Sequence, residues 1–407
     1  MTSKISDAAE ARALLSAAAV RAKTDELFAL AERDALAEWT LHLNALPACA
    51  DYVATIVRQR YPTLDVPFHA RWRHFVFAGR DLWRETASHA HWRDQHAHAR
   101  AAFDLAITSV LLDAGAGPAW RFRDPNTDIV AARSEGLALA SLRLFEWGGF
   151  SADPADPLRA DAEALARIDA ASLGDAFQVD PRNPLQGLDG RARLLNRLGQ
   201  VVDARPDLFA REDTPRPGGL YDVLRVRAQD GKLPAAAILD ALLDGLGDIW
   251  ESRPRVLGVP LGDCWPTPNY GYVPLHKLSQ WLAYSLIEPL QRAGVEVTDI
   301  NGLTGLAEYR NGGLFVDMGV LAPRDPEALA RMHDVSDPIV VTWRSLTVAL
   351  LDRIAPLVRE RLGVSAEQFP LARVLEGGTW AAGRAIAREK RPDGGPPLLI
   401  HSDGTVF

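Results

Sequence analysis

The sequence predicts a mainly α-helical protein with one β-hairpin and a short strand near the C-terminus. Apolar residues recur at three- and four-residue spacing along most of the chain, which is the period of an amphipathic helix. Strand-like alternation is confined mainly to residues 304–321 and 396–407. With 407 residues, of which 47% are hydrophobic and 24% charged, the chain can form one large domain or two to three smaller ones.

The predicted helices follow one another from the N-terminus. Residues 6–60 carry Ala and Leu at helical spacing. A further helix covers residues 99–115, and the next runs from a cap residue, Ser134, to a terminating Gly148. Pro and Gly become frequent in residues 181–234, which we interpret as loops around short helices.

The predicted β-hairpin lies within residues 304–321. Asn311-Gly312 separates two runs of alternating side chains, and this dipeptide is a strong signal for a hairpin turn. Because strand side chains alternate, Glu308 and Arg310 would share one face of this hairpin. This spacing leaves two interpretations open, a surface ion pair or a contribution to a catalytic site.

Composition restricts the class of protein. The net charge of −8 and the pI near 5.7 argue against nucleic-acid binding, which needs clustered Lys and Arg. No apolar run reaches the roughly 18 residues of a membrane span, and the first residues lack the pattern of a signal peptide. We therefore expect a soluble cytoplasmic protein, and we interpret Cys49 and Cys264 as buried thiols.

Two segments resemble ligand sites superficially. One short stretch contains four histidines, which are His89, His91, His96 and His98. Two metal ligands on one helix need a spacing of three or four residues, but the pairs that come nearest to sharing a helix face are seven residues apart, and no HExxH motif is present. The sequence therefore predicts no metal and no cofactor. Residues 111–120, LLDAGAGPAW, lack both GK[ST] and a full GxGxxG motif. We interpret the glycines there as a helix stop.

Asp248 is the most informative acidic residue. On a helical wheel of residues 234–250, the apolar side chains fill one arc, and Asp240, Asp244 and Asp248 lie on the other face. Asp248 also stands between Gly247 and the end of the helix, where the helix dipole disfavours an anion by about 0.3–1 kcal/mol. Its carboxylate is either solvated or used in chemistry.

His276 and Lys277 begin the next predicted helix, which Pro274 opens and Gly294 ends. A helix N-terminus offers free backbone donors and partial positive charge, so these two residues can form a subsite for phosphate or carboxylate. The alternative is an exposed lysine beside a packed histidine.

Four blocks of the sequence resemble the uracil-catabolism protein family of bacteria and fungi, which contains the fungal uracil-regulatable proteins and belongs to a ring-opening uracil pathway. The likeness extends over nearly the whole chain, and its blocks are FDLAITSVLLDAGAGPAW, RSEGLALASLRLFEWGGFS, LTGLAEYRNGGLFVDMGVL and EGGTWAAGRAIAREKRPDGGPPLLIHSDGTVF.

A more distant likeness, over about residues 105–355, is to the queuosine-nucleotide N-glycosylase family. Its blocks here are GLALASLRLFEWGGFSADP, LLDGLGDIW, YVPLHKLSQWLAYS and WRSLTVALLDRI. That family resembles helix-hairpin-helix DNA glycosylases and cleaves an N-ribosidic bond of a nucleoside 5′-monophosphate. The resemblance implies a glycosylase-like helical core over residues 101–355, flanked by a helical region at 1–100 and a C-terminal helix and tail at 356–407.

The same resemblance assigns roles to residues. An aspartate next to a Trp in the glycosylases falls on Asp248, and we expect Trp250 or Trp281 to wall its pocket. A second glycosylase aspartate, shortly before the Val-Pro pair, is absent here, and Thr342 stands where that family has a Glu ahead of the arginine that matches Arg344. Asp263 or Glu308 would then supply the second carboxylate.

The two resemblances together imply hydrolysis of N-ribosylurea 5-phosphate, a small phosphorylated ribosyl substrate, to urea and ribose 5-phosphate. A carboxylate near the anomeric carbon suits the oxocarbenium-like state of this reaction. We expect His276, Lys277 and an arginine, Arg310 or Arg344, to contact the phosphate. Three alternatives stay open: a metal-dependent ureido or amide hydrolase, a non-catalytic nucleotide-binding pathway protein, and a nucleic-acid glycosylase.

Overall fold

The computed structural model describes residues 5–211 and 214–401. Helices make up most of this part of the chain, which confirms the predicted mainly α class. The α-helices are α1 Ala8–Ala13, α2 Ala17–Glu32, α3 Leu46–Arg60, α4 Leu82–His89, α5 Gln95–Leu111, α6 Arg133–Glu146, α7 Ala162–Leu165, α8 Ala170–Ala176, α9 Leu188–Ala204, α10 Pro206–Phe209, α11 Leu220–Arg227, α12 Ala235–Leu246, α13 Lys277–Arg292, α14 Tyr309–Asp317, α15 Pro338–Leu362, α16 Leu371–Arg373 and α17 Trp380–Lys390.

The strands are short and pair only two by two among the described residues. They are β1 Trp39–Leu41, β2 Val76–Phe77, β3 Arg80–Asp81, β4 Phe122–Arg123, β5 Val130–Ala131, β6 Ala210–Arg211, β7 Thr214–Pro215, β8 Lys232–Pro234, β9 Arg255–Val256, β10 Val259–Pro260, β11 Cys264–Thr267, β12 Gly271–Pro274, β13 Glu296–Thr298, β14 Leu321–Pro323, β15 Met332–His333 and β16 Leu399–Ile400. Within the described ranges, the pairs that run parallel are β8 with β13 and β15 with β16. The predicted C-terminal strand is therefore present as β16, and residues 402–407 lie outside the described part.

Single-turn elements of other geometry separate several α-helices. The 3₁₀-helices are Leu43–Ala45, Arg71–Phe75, Pro217–Gly219, Gly247–Ile249, Ile300–Gly302 and Pro326–Ala330. A π-helical turn, Val374–Thr379, joins α16 to α17. Two of these elements, Arg71–Phe75 and Gly247–Ile249, carry candidate site residues.

The predicted hairpin at residues 304–321 is wrong, because most of this segment forms helix α14. Both carboxylate oxygens of Glu308 accept backbone N–H bonds at the start of the helix, 2.8 Å from Arg310 N and 2.6 Å from Asn311 N. Gly312 lets α14 approach α15 closely, since a Cβ atom there would lie 2.8 Å from the side chains of Trp343 and Thr347. The Asn-Gly pair therefore serves helix packing and makes no turn.

One compact unit comprises the described residues of 1–69, 253–280 and 299–401. In it α15 packs against α2 and α3, and α14 packs against α17. The rings of Trp39 and Trp343 stack in its core with centroids 6.3 Å apart. Cys49 and Cys264 are both buried free thiols in this unit, as predicted, and burial raises the pKa of Cys49 to about 12.

The other compact unit comprises the described residues of 70–252 and 281–298. Helix α5 is buried on all sides from Ala99 to Leu111 and packs against α6, while α9 packs against α7, α8 and α12. The domain boundaries predicted after residues 100 and 355 fall inside α5 and α15. Likeness of this core to helix-hairpin-helix glycosylases stays a prediction.

Across residues 5–211 and 214–401, every helix is too short or too polar to cross a membrane.

Candidate active site

Asp248 lies on the 3₁₀ turn that follows α12. Asp240, Asp244 and Asp248 are exposed while Ile238 and Leu242 are buried, so the predicted helical wheel is confirmed. The backbone of the turn is held on two sides: Ile249 is 3% exposed, and the carbonyl of Asp248 accepts a 3.1 Å bond from Arg197 Nε. The turn thus presents the Asp248 carboxylate to solvent from a fixed backbone.

The two predicted tryptophans belong to the same compact unit as Asp248. Trp250 follows the turn and is half-buried, and Trp281 is 4% exposed in α13. The ring of His74 lies 5.6 Å from that of Trp281, and the guanidinium of Arg71 lies 5.6 Å from the Trp281 ring centroid. Trp281 is therefore one wall of a polar cluster that the sequence did not reveal.

We call this group the Arg71 cluster; its members are Arg71, His74, Ser109, Asp113 and Ser134. Arg71 is 0% exposed, and its Nε donates to Ser109 Oγ at 2.7 Å. Its Nη1 lies 3.2 Å from His74 Nδ1, which must be the acceptor because a guanidinium only donates. Arg71 Nη1 also lies 3.3 Å from Asp113 Oδ2, and Oδ2 accepts a 3.0 Å bond from Ser134 Oγ.

Two polar atoms of the Arg71 cluster have no hydrogen-bond partner within the described residues. They are Arg71 Nη2 and Asp113 Oδ1, and both are buried. Burial lowers the pKa of Arg71, while the charges of Asp113 and Glu135 oppose that shift. Buried charged atoms are normally hydrogen-bonded, so these two atoms need a partner, a water molecule or a ligand, beyond the described residues.

The segment that carries Asp113 is fixed by a second buried arginine. Arg191 Nε donates to the carbonyl of Leu112 at 3.0 Å, and its Nη2 donates to the carbonyls of Ala114 at 2.6 Å and Gly115 at 3.2 Å. Burial lowers the pKa of Arg191 to about 10, against the opposing charge of Asp113. These bonds satisfy carbonyls at the end of α5 and hold the backbone of Asp113 in place.

Asp263 forms a bidentate ion pair with Arg344, with both N–O distances 2.8 Å. Its carboxylate also accepts bonds from Trp265 Nε1 at 2.7 Å and from the backbone N–H of Lys277 at 2.8 Å. Burial alone would raise the pKa of Asp263, but the charge of Arg344 and these bonds hold it well below its ordinary value. This geometry favours a structural role for Asp263 over that of a proton donor.

The predicted phosphate contacts differ in what they can still bind. His276 Nε2 lies 2.9 Å from the Leu14 carbonyl and so carries the ring proton, and burial lowers the pKa of His276 despite that bond. A neutral His276 has no second N–H for a phosphate. Arg344 is engaged by Asp263, whereas the guanidinium of Arg310 donates one hydrogen bond within the described residues, at 2.7 Å to the Gly394 carbonyl. Arg310 is therefore a better candidate than Arg344 or His276, and the role of Lys277 stays a prediction.

Glu308 is the N-cap of α14, and this position suggests a stabilising role. We expect Glu308→Gln to lower the stability of its unit by about 0.5–2 kcal/mol, because the amide keeps one acceptor oxygen instead of two. Turnover should be unchanged, and thermal melting with steady-state kinetics on one preparation measures both. Glu327→Gln, which alters an exposed acid of the same unit, is the control. A large fall in kcat without loss of stability would instead support the catalytic prediction.

Three of the four histidines in residues 89–98 have local partners. His96 Nδ1 lies 2.7 Å from the Tyr221 hydroxyl, His89 Nδ1 lies 2.8 Å from the Glu85 carbonyl, and the His98 ring stacks on Trp92 with centroids 5.0 Å apart. In the described ranges, no three His, Cys, Asp or Glu side chains are grouped so as to hold a metal ion.

Comparison with known proteins reveals one family and two similar proteins. A family model described as "Protein of unknown function (DUF1688)" matches residues 13–407. Protein urg3 of Schizosaccharomyces pombe is 38% identical over 407 residues, covering 97% of this chain and 98% of that protein. Uracil catabolism protein 4 of Lachancea kluyveri is 35% identical over 435 residues, covering 96% and 98%. The predicted resemblance to the uracil-catabolism protein family is confirmed.

Proposed function

The chain belongs to the DUF1688 protein family, and from this membership we propose that it acts in uracil catabolism as an N-ribosidic hydrolase. The proposed reaction converts N-ribosylurea 5-phosphate and water to urea and ribose 5-phosphate. The name of the Lachancea kluyveri relative supports the pathway. The reaction itself rests on the likeness to the queuosine-nucleotide glycosylases and on the position of Asp248.

The observation that carries the proposal is an exposed carboxylate on a fixed backbone turn. As the bond from the anomeric carbon to nitrogen breaks, positive charge develops on the ribose, and the Asp248 carboxylate stabilises it. A preorganised carboxylate is more effective than a mobile one because it needs no reorganisation during the reaction. Trp250 and Trp281 supply apolar walls in this proposal.

The second catalytic group is not expected to be Asp263 or Glu308. The oxygens of Asp263 are occupied by Arg344, Trp265 and a backbone N–H, and those of Glu308 cap a helix. Replacing either acid would therefore mainly lower the stability of the fold and would not remove a proton-transfer group.

A direct assay tests the proposal. The purified protein is incubated with N-ribosylurea 5-phosphate, UMP or uridine, and urea and ribose 5-phosphate are measured. We expect release of both products from the ribosylurea only. Ligand-induced stabilisation without turnover would favour the nucleotide-binding alternative, and turnover abolished by a chelator would favour the metal-dependent hydrolase.

We predict that Lys277→Ala and Arg310→Gln each raise KM for N-ribosylurea 5-phosphate by about 10- to 100-fold, because a hydrogen bond to a charged group contributes roughly 1.5–3 kcal/mol. KM for the unphosphorylated N-ribosylurea should not change. Lys232→Ala, which removes an exposed lysine, serves as the control. An equal effect on both substrates would remove these residues from the phosphate subsite.

A further inference from the structure

We propose that Arg71 and Asp113 bind the ureido group of the substrate, an inference that rests on the proposed function. It starts from the two unused atoms of the Arg71 cluster, Arg71 Nη2 and Asp113 Oδ1. The other terminal atoms of these two side chains, Arg71 Nη1 and Asp113 Oδ2, lie 3.3 Å apart. Nη1 and Nη2 are bonded to the same guanidinium carbon, and Oδ1 and Oδ2 to the same carboxylate carbon. The unused donor and the unused acceptor therefore belong to two side chains that contact each other.

Neither side chain can turn away to satisfy itself. Arg71 is held through Nε by Ser109 at 2.7 Å and through its backbone N–H by Ser285 Oγ at 2.9 Å. Ser109 Oγ is itself 2.6 Å from Ser141 Oγ. Asp113 is held by the Ser134 hydroxyl at 3.0 Å, and Arg191 binds the carbonyls on either side of it. The donor and acceptor are thus preorganised.

The signs of the two groups select the chemistry of the ligand. A phosphate or carboxylate would be attracted by Arg71 but repelled by Asp113. An ammonium group would be attracted by Asp113 but repelled by Arg71. A neutral planar group with a carbonyl oxygen beside a terminal amino group satisfies both, because the oxygen accepts from Arg71 Nη2 and the amino N–H on the same side as that oxygen donates to Asp113 Oδ1. The ureido group has this pattern.

The same contacts assist the reaction. When the bond from the anomeric carbon to the ureido nitrogen breaks, its electron pair goes to the nitrogen and is shared with the carbonyl oxygen. The charge of Arg71 stabilises that oxygen. Water supplies hydroxide to the anomeric carbon, and its remaining proton ends on the ureido nitrogen, giving urea and ribose 5-phosphate. Asp113 orients the leaving group and takes no proton in this scheme.

A pair of substrates tests the assignment. N-acetylribosylamine 5-phosphate carries a methyl group in place of the terminal amino group of the ureide, so it keeps the carbonyl oxygen and loses the donor to Asp113. We expect the wild-type protein to prefer the ureide in kcat/KM by about 10- to 100-fold, as for a lost bond to a charged acceptor.

Asp113→Asn should abolish this preference. Arg71 and Ser134 are donors and will hold the amide oxygen at the Oδ2 position, which places the new amino group where Oδ1 was and opposes it to the ureido N–H. The control is Glu163→Gln, an exposed acid of the same unit, which should keep the preference.

The outcomes separate the two proposals. If the wild-type protein releases no urea from the ureide, the proposed function fails. If it releases urea but hydrolyses both substrates equally well, the assignment of Arg71 and Asp113 is overturned while the function stands. This wild-type comparison decides the matter even if the Asp113 variant does not fold. A folded Asp113→Asn that retains the preference also overturns the assignment.

Discussion

Replacing Asp248 with Asn is expected to lower kcat for N-ribosylurea 5-phosphate by about 10²–10³-fold, which corresponds to roughly 3–4 kcal/mol of transition-state stabilisation. Asn keeps the shape of the side chain but removes the negative charge that stabilises the developing oxocarbenium ion. Since Asp248 is exposed, the stability of the protein should change by no more than about 0.5 kcal/mol. Turnover and thermal melting are measured on the same preparation.

Asp244→Asn is the matched control for this prediction. Asp244 is exposed on the same helix face one turn earlier, and its carboxylate lies 3.2 Å from Arg205 in a surface ion pair. Surface ion pairs contribute about 0–1 kcal/mol, so this variant should keep both activity and fold. Near-native turnover by a stable Asp248→Asn protein would show that Asp248 is an ordinary solvated residue.

Breaking the ion pair between Asp263 and Arg344 is expected to produce the largest loss of stability. Arg344 is 1% exposed, so Arg344→Met leaves the Asp263 carboxylate without its counter-charge in a largely buried place. Removing one partner of a buried pair costs about 3–5 kcal/mol. The shift of the urea-unfolding midpoint, followed by circular dichroism, measures this loss.

The double variant Asp263→Leu/Arg344→Met is the control. It removes both charges, and replacing a buried pair by apolar residues of similar size is often neutral. We therefore expect it to be more stable than Arg344→Met alone. If the loss of unfolding free energy in the double variant equalled the sum of the losses in the two single variants, the two residues would not act as a pair.

The same pair makes a defined contribution to acid stability. The pKa of Asp263 is lower in the folded protein than its value of about 3.9 in an unfolded chain. A lowered folded pKa stabilises the protein fully above the unfolded value, and this stabilisation is lost as the pH falls toward the folded one. The stability difference between the wild type and Asp263→Leu should therefore shrink below about pH 4.

Helices and their buried faces could be predicted because they depend on local periodicity. The wheel around Asp248 was right for this reason: the spacing of Ile238 and Leu242 determines which side of α12 meets the core. The hairpin prediction failed because Asn311-Gly312 carries a strong local turn signal, whereas the packing of α14 on α15 depends on Trp343, far away in sequence. A local pattern cannot include that partner.

The Arg71 cluster had only one sequence signal. Asp113 is an acid at the end of a predicted helix and is followed by Gly115 and Gly117, but glycines at this position equally indicate a helix stop. Arg71, Ser109 and Ser134 come from three separate stretches whose patterns are those of ordinary helices and loops. The contacts among these residues become visible only in the folded structure.

The division of the chain also determines the order in which it can fold during synthesis. Helices α2 and α3 pack against α15, and their buried side chains include Val20, Leu27, Val53 and Val57. Helix α15 is synthesised only after all of residues 70–252 has left the ribosome. At about 5–20 residues per second, this delay is on the order of ten seconds or more. Residues 70–252 can begin to collapse during that interval. The apolar faces of α2 and α3 stay exposed to solvent, or bound to a chaperone, until α15 has been synthesised.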